Sequence, residues 1–166
     1  MTTPNFSVEF KAAMRRLTST VCVVTCGHDG EWYGMTATAV TSVCAEPAAI
    51  LVCINGSAAI YQPLLDSARF CVNMLSVEQH AISSAFGGRL RGRERFSEGE
   101  WLPTADGIPT LVGAQANLFA TVAKVVPYGT HGIVIGDIED VLVQEKIAPL
   151  LYQNGGYARS ELINSL

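Results

Sequence analysis

Charge is scarce in this chain. Only 16% of its 166 residues are charged, and 11 basic against 15 acidic side chains leave a net charge of −4. A chain so poor in cations offers no nucleic-acid surface. Long apolar runs are missing as well: none approaches the roughly 18 residues of a membrane span, so no membrane role is expected. The cysteines Cys22, Cys26, Cys44, Cys53 and Cys71 contain no CxxC pair and lie in or beside strand-like runs. That argues against metal and disulfide and for buried free thiols. Catalytic triads, paired carboxylates and metal-spaced His/Cys clusters are also lacking, so no protein acid, base, nucleophile or metal is indicated. The opening stretch MTTPNFSVEFKAAMRR has no uninterrupted apolar segment, which points to a cytoplasmic protein without a signal peptide.

Hydrophobic residues, by contrast, make up 49% of the chain, with a mean hydropathy of +0.27. One domain spanning 1–166 can bury a core of its own. The apolar surplus implies a covered face, either a subunit interface or a cofactor pocket.

The most informative stretch runs from Gly34 to Ser57. Its first half, from Met35 to Val43, alternates Thr36 and Thr38 with Ala37, Ala39 and Val40 before Thr41-Ser42-Val43. Small residues at period two predict a strand whose backbone a flat ligand can approach. After a turn at Ala45-Glu46-Pro47, the apolar run Ala48–Ile54 predicts a strand buried on both faces. Asn55-Gly56-Ser57 then turns into a short helix, Ala58–Tyr61, which Ser57 can cap and whose first donors suit a phosphate. An ordinary cap is the commoner use of such residues, and the two roles are compatible.

Elsewhere, Phe6, Phe10, Ala13, Met14 and Leu17 recur at helical spacing, with Arg15-Arg16 near the helix end. Val21–Thr25, Trp32–Val43, Arg69–Leu75, Ala114–Val126 and Ile133–Val143 read as strands, and His28-Asp29-Gly30 as a hairpin turn. Ser76-x-x-Gln79 is a capping box that opens a helix over Val77–Phe86. Gly87 to Asp106, with Arg89, Arg91, Arg93 and Arg95, reads as a mobile surface loop or an anion-binding lid. The fold class is mainly β, an antiparallel barrel with a few flanking helices.

Five motifs in order carry a resemblance over most of the chain: Gly34–Val43, Val52-Cys53-Ile54-Asn55, Phe70–Leu75, Glu94-Arg95-Phe96, and Gly129-Thr130-His131 followed by Ile135-Gly136. Together they resemble the short-chain flavin reductases, the split-barrel enzymes that supply reduced flavin to two-component monooxygenases. The resemblance implies a six-stranded Greek-key split barrel, a homodimer with flavin (FMN or FAD) near its interface, and NADH or NADPH as co-substrate. It implies that backbone at Met35, Thr36, Ala37, Thr38, Ala39 and Val40, with Ser42, meets the isoalloxazine edge. Asn55 and Ser57 would lie at the flavin phosphate. One loop arginine, Arg89 or Arg95 among the four, would join Phe86-Gly87 at the flavin phosphate or at the adenylate of a dinucleotide. His131 would sit at the nicotinamide or ribose, although Thr130 stands where the family often has Asp. Tyr157 would cap the nucleotide pocket or pack the dimer.

Hydride transfer needs only placement, so no catalytic residue is expected beyond these positioning groups. The same barrel also hosts flavin-binding proteins without turnover, and fold does not decide between them. A related oxidase of pyridoxamine phosphate would need phosphate motifs that this sequence does not display.

Overall fold

The computed structural model describes residues 6–163, so the ends of the expected 1–166 domain lie outside the described residues. Helix α1 (Phe6–Met14) leads into β1 (Ser19–Thr20), β2 (Cys22–His28), β3 (Glu31–Ala37), β4 (Val40–Ala45) and β5 (Ala48–Asn55). Helix α2 (Tyr61–Ser67) and β6 (Arg69–Met74) follow. Then comes a composite helix: a 3-10 turn (Val77–Gln79), α3 (His80–Ser84) and a π turn (Ala85–Arg89). A 3-10 segment (Gly92–Ser97) precedes the small strands β7 (Trp101–Pro103) and β8 (Pro109–Leu111). The chain closes with β9 (Ala116–Tyr128), β10 (His131–Val143), β11 (Leu150–Gln153) and β12 (Gly156–Arg159).

The main antiparallel sheet has the order β3-β2-β6-β9-β10-β5-β4, beside a three-stranded sheet β1-β11-β12 and the β7-β8 pair. Six barrel strands were expected and seven occur. The difference lies in one place: the strand read as Trp32–Val43 is broken at Thr38-Ala39. Up to Ala37 it pairs with β2, and from Val40 it pairs with β5. Its halves are therefore the two edges of the curled sheet.

Alternation sets which side chains face inward. On β5, Ile50, Val52 and Ile54 are buried in the barrel core with Phe70, Val72 and Val134. Each such side chain contributes roughly 1.5–3 kcal/mol by leaving water. Leu51 and Cys53 are only half-buried, so the strand expected to be covered on both faces is covered on one. Gly136 lies under the Phe70 ring, whose edge stands 2.6 Å from where a Cβ would be. Any side chain there would displace a fully buried aromatic.

Both faces of β6 are covered. Phe70 and Val72 face the barrel core, while Cys71 and Asn73 face the β7-β8 hairpin. Asn73 is fully buried and spends its whole amide. Its Nδ2 donates to the Val23 carbonyl at 2.9 Å and to Thr25 Oγ1 at 3.1 Å. Its Oδ1 accepts from the Leu111 amide at 2.9 Å and from Asn117 Nδ2 at 2.8 Å. Thr25 Oγ1 in turn donates to the Pro109 carbonyl at 2.6 Å. This network pins β8 across β2, β6 and β9.

The Gly87–Asp106 stretch is packed rather than an open loop. Phe96 meets Phe86 (ring centroids 4.9 Å apart), Trp101 (5.1 Å) and Trp32 (5.2 Å) in edge-on contacts. Trp101 Nε1 donates to the Glu98 carbonyl at 2.8 Å. Glycines and arginines dominate the local composition and hide these anchors. The capping box at Ser76 forms, with the Ser76 amide donating to Gln79 Oε1 at 2.9 Å. α2 begins later than expected, at Tyr61, with Pro63 accommodated in its first turn. Among the described residues, no helix is long and apolar enough to cross a membrane.

Of the thiols expected to be buried, Cys22, Cys26 and Cys71 are, whereas Cys44 is exposed and Cys53 half-buried. Burial pushes the Cys22 and Cys26 thiols up to about 12, and raises Cys71 as well. Ellman's reagent at pH 8 is therefore expected to leave these three unmodified in the native protein and to reach them only after denaturation, since the thiolate is the reacting form. Rapid labelling of all five thiols in the folded state would contradict this core.

Asn73→Ala would leave the Leu111 amide without its acceptor in the interior and would remove one bond each from the Val23 carbonyl and from the Asn117 side-chain amide, which keeps the Leu111 carbonyl as an acceptor. At about 1–3 kcal/mol for the unpaired buried amide, with smaller losses for the groups that give up one bond, the expected loss is roughly 2–4 kcal/mol. Urea unfolding should show a lower midpoint at an unchanged slope. A loss below about 1 kcal/mol would mean that the hairpin is held by packing alone.

Candidate functional site

The break at Thr38-Ala39 is where the barrel seam opens. β3 and β4 each have one side without a strand partner in the sheet, and sheet edges carry unpaired amides and carbonyls. The bend itself is fixed by the Cys53 amide, which donates to the Ala39 carbonyl at 3.1 Å. Beside it lies a cavity of about 640 Å³. Thr38, Ala39, Val40 and Thr41 form one wall, Leu51 and Cys53 the floor, and Phe10, Met14 and Leu17 the far side.

Only part of the expected ring wall faces this cavity. Ala37 is buried in the barrel core and Met35 packs against that core, because they alternate inward along β3. Thr36 points the other way and its Oγ1 donates to the Ser83 carbonyl at 2.7 Å. Ser42 lies on exposed β4 and lines none of the cavities described here. Phe86, expected at the ligand, is instead core: its ring edge stands 2.5 Å from where a Cβ on Gly34 would be. Thr41 joins the wall although period-two reading favoured Ser42; the partner switch between β3 and β4 is what resets the alternation.

A second hollow of about 340 Å³ shares Thr38 and Tyr152 with the first and adds Thr36, Ser83, Gly87 and Tyr157. Tyr157 OH donates to Ser83 Oγ at 2.9 Å, tying β12 to α3. Gly87 and Tyr157 thus reach the same place as the wall threonines. His131 does not. It is an exposed residue at the tip of the β9-β10 hairpin, with Nδ1 2.9 Å from Thr130 Oγ1. In register it stands opposite Asn55, and directly opposed residues share a sheet face. His131 and Tyr157 line no common cavity among the described residues.

Leu51, Cys53 and Asn55 lie on one face of β5, which leads from the large cavity toward Ser57. Asn55 Oδ1 accepts from the Ser57 amide at 2.9 Å and from Ser57 Oγ at 2.8 Å. The Gly56 amide is spent on the Thr130 carbonyl and the Ala58 amide on the Asn55 carbonyl. The donors expected to greet a phosphate are therefore used within the turn. Ile60, not Ser57, is the cap of α2, which is only 7 residues long.

Cationic groups do gather nearby. A cavity of about 510 Å³ is lined by Ser57, Trp32, Arg91, Arg93 and Arg95. Arg95 clamps the loop, with Nη1 donating to the Gly34 carbonyl at 2.6 Å and Nε to the Leu90 carbonyl at 3.0 Å. Arg89 lies outside this cavity, paired with Glu98 at 2.5 Å. Arg93 stacks over Trp32 at 5.6 Å and approaches Glu31 at 4.0 Å. Arg91 forms no ion pair among the described residues. Charge alone marked the cluster in the sequence; which arginine stays unspent depends on contacts with β3 far away in the chain.

The helical spacing of Phe10, Met14 and Leu17 predicts an amphipathic helix. The structure leaves α1 without a buried residue and sets them over the large cavity instead. Their apolar spacing was visible, but not that the core had no room for them.

Comparison with known proteins gives a consistent result. Residues 14–161 match the family described as flavin reductase like domain. The reductase component of an FADH2-dependent resorcinol hydroxylase from Rhizobium sp. (strain MTP-10005) is 41% identical over 150 residues, covering 89% of this chain and 84% of that protein. An FMN reductase (NADH) from Pseudomonas syringae pv. syringae (strain B728a) is 37% identical over 143 residues, covering 86% and 80%. Among solved structures, the NADH:FAD oxidoreductase of Streptomyces globisporus C-1027, in complex with NAD and FAD fragments, superposes with a TM-score of 0.89. Its sequence identity is 25%, over 99% of each chain.

Proposed function

The chain belongs to the family of flavin reductase-like domains, and on that premise we propose that it is an NAD(P)H:flavin oxidoreductase delivering reduced flavin to a partner monooxygenase. The observation that carries this reading is the seam cavity. Its volume of about 640 Å³ falls within the roughly 300–1,000 Å³ of small-molecule sites. Its walls are mainly apolar side chains, threonines and edge-strand backbone, with Lys11 and Arg15 at one side, and no carboxylate lines it. That donor set fits a flat heteroaromatic ring read through backbone groups.

When bound, the flavin accepts and the reduced pyridine nucleotide supplies the hydride, so the protein contributes placement rather than proton transfer. Thr38, Ala39 and Val40 hold the ring edge. Leu51 and Cys53 floor the ring, and Phe10 and Met14 exclude water from above it. Asn55 and Ser57 lead toward the arginine cavity, where Arg91 and Arg93 attract phosphate. His131, on the Asn55 face, orients the nicotinamide by a hydrogen bond. FMN and NADH are the preferred pair by analogy with the Pseudomonas syringae relative; an oxygenase partner follows the resorcinol hydroxylase component.

The protein works as a homodimer in the cytoplasm. Support for the dimer comes from α1, whose Phe6, Phe10 and Met14 all stay exposed in the single chain. A second copy covers that face beside the flavin, and such obligate interfaces bury roughly 2,000 Å² or more.

Steady-state NADH consumption with and without FMN or FAD tests the activity directly; a protein that binds flavin but oxidises no NADH would be the inert binder instead. His131→Ala is expected to leave flavin affinity intact. It should lower kcat/KM for NADH by about 0.5–1.5 kcal/mol, up to roughly tenfold, with a residual rate surviving. An unchanged kcat/KM, or parallel loss of flavin binding, would remove the nicotinamide role.

A pair of substitutions separates wall from core. Ala37→Leu overpacks the barrel and should cost roughly 1–3 kcal/mol in stability. Ala39→Leu adds the same bulk at an exposed bend and should spare stability while weakening flavin binding. Fluorescence titration and urea unfolding of both variants check this. If Ala39→Leu bound flavin like the wild type, the ring would lie elsewhere.

A further inference from the structure

Lys11 and Arg15 sit between two adjoining cavities. One is the apolar seam cavity; the other, about 660 Å³, lies on the opposite side of α1's last turns and also touches Arg16 and Asn154. No Asp or Glu lines either cavity. Among the described residues, neither Lys11 nor Arg15 has a carboxylate partner within 4.0 Å. Arg16 differs, because its guanidinium donates to the Ala12 carbonyl and so serves its own helix end. The turn that carries Arg15 is fixed in place, since the Asn154 amide donates to the Arg15 carbonyl at 3.1 Å.

Unpaired cations held beside an apolar hollow, in a chain of net charge −4, mark a place where an anion lowers the local repulsion. Position adds to this. The two cavities run into each other through Lys11 and Arg15, so a ligand with an apolar ring and a charged tail occupies both at once. The cationic hollow shares no lining residue with the cavity of Ser57 and Arg91. The seam therefore has two separate cationic places.

We infer that Lys11 and Arg15 form an anion subsite that holds the phosphate or diphosphate of a nucleotide whose ring fills the seam cavity. FMN and the reduced pyridine dinucleotide present this same chemistry. The inference rests on the reading of the chain as a flavin reductase, in which two anionic ring ligands must meet. Two cationic places then serve two anionic ligands.

The test compares wild type with the double variant Lys11→Gln/Arg15→Gln. Lys11 projects from a helix that buries nothing and Arg15 from the exposed turn after it, so the fold should persist, and far-UV circular dichroism verifies it. Fluorescence quenching gives Kd for FMN and for riboflavin, which lacks the phosphate. Initial rates give KM for NADH with riboflavin as acceptor. One of these phosphate readouts should weaken roughly tenfold or more, while riboflavin binding stays within about twofold. A rise in the FMN Kd assigns the subsite to the flavin phosphate, and a rise in the NADH KM assigns it to the dinucleotide. Added salt should erode the same readout in the wild type. Unchanged FMN Kd and NADH KM, or equal losses for riboflavin and FMN, would overturn the subsite. Wild type that consumes no NADH with any flavin would overturn the functional reading instead, and the Kd values of FMN, riboflavin and NADH from direct titration would still decide the subsite.

Discussion

A strand that changes partners is the constraint from which the rest follows. Between Ala37, paired with Cys22, and Val40, paired with Val52, the chain leaves one end of the sheet and joins the other. A sheet with this connection must curl until its edges meet, because the three steps from Ala37 to Val40 span only about 10 Å when extended. Edge strands ordinarily invite unwanted pairing. Here the curl sets the break between the two edges beside a cavity floored by Leu51 and Cys53, and on the proposed reading the backbone there meets a small ring rather than another chain.

That curl holds only if the far side of the sheet is rigid. β6 sits near the middle, and Asn73 locks it by bonding to β2, β8 and β9 at once. An apolar residue at this position could pack but could not satisfy the Leu111 amide, whose strand has only the short β7 as a sheet partner. The aromatic group of Trp32, Phe86, Phe96 and Trp101 does the same for the arginine-bearing segment. Edge-on aromatic contacts each contribute about 0.5–1.5 kcal/mol beyond burial, enough to hold a glycine-rich stretch in one shape. Arg95 extends that anchoring to β3 through the Gly34 carbonyl, which is why it is not the arginine left for a ligand.

The barrel was legible because its signal is periodic. The apolar run Ala48–Ile54 and the long runs of β9 and β10 mark strands, and Ser76-Gln79 marks its own turn, although nothing in that apolar run says that Leu51 and Cys53 stay half-exposed. What stayed hidden depends on distant partners. Nothing local says that Thr36 will bond to Ser83, that Phe86 will lie on Gly34, or that Ser57 will be consumed by Asn55. The break at Thr38-Ala39 was equally invisible, since small threonines and alanines suit a continuous strand as well as a bend. Motif resemblance named residues around the seam without distinguishing those that line the cavity from those that pack the core.

Alternation also explains how such a barrel keeps its fold while its ligand site varies. Along β5, Ile50, Val52 and Ile54 carry the packing, and Leu51, Cys53 and Asn55 face outward. Along β3, Tyr33, Met35 and Ala37 turn to the core while Thr36 and Thr38 do not. A change on the outward set removes little buried area and so costs little stability. A change on the inward set disturbs a close-packed interior, where even one methylene is felt. On the proposed reading, ring specificity rests on side chains that the core does not need, and the two sets of residues can change independently.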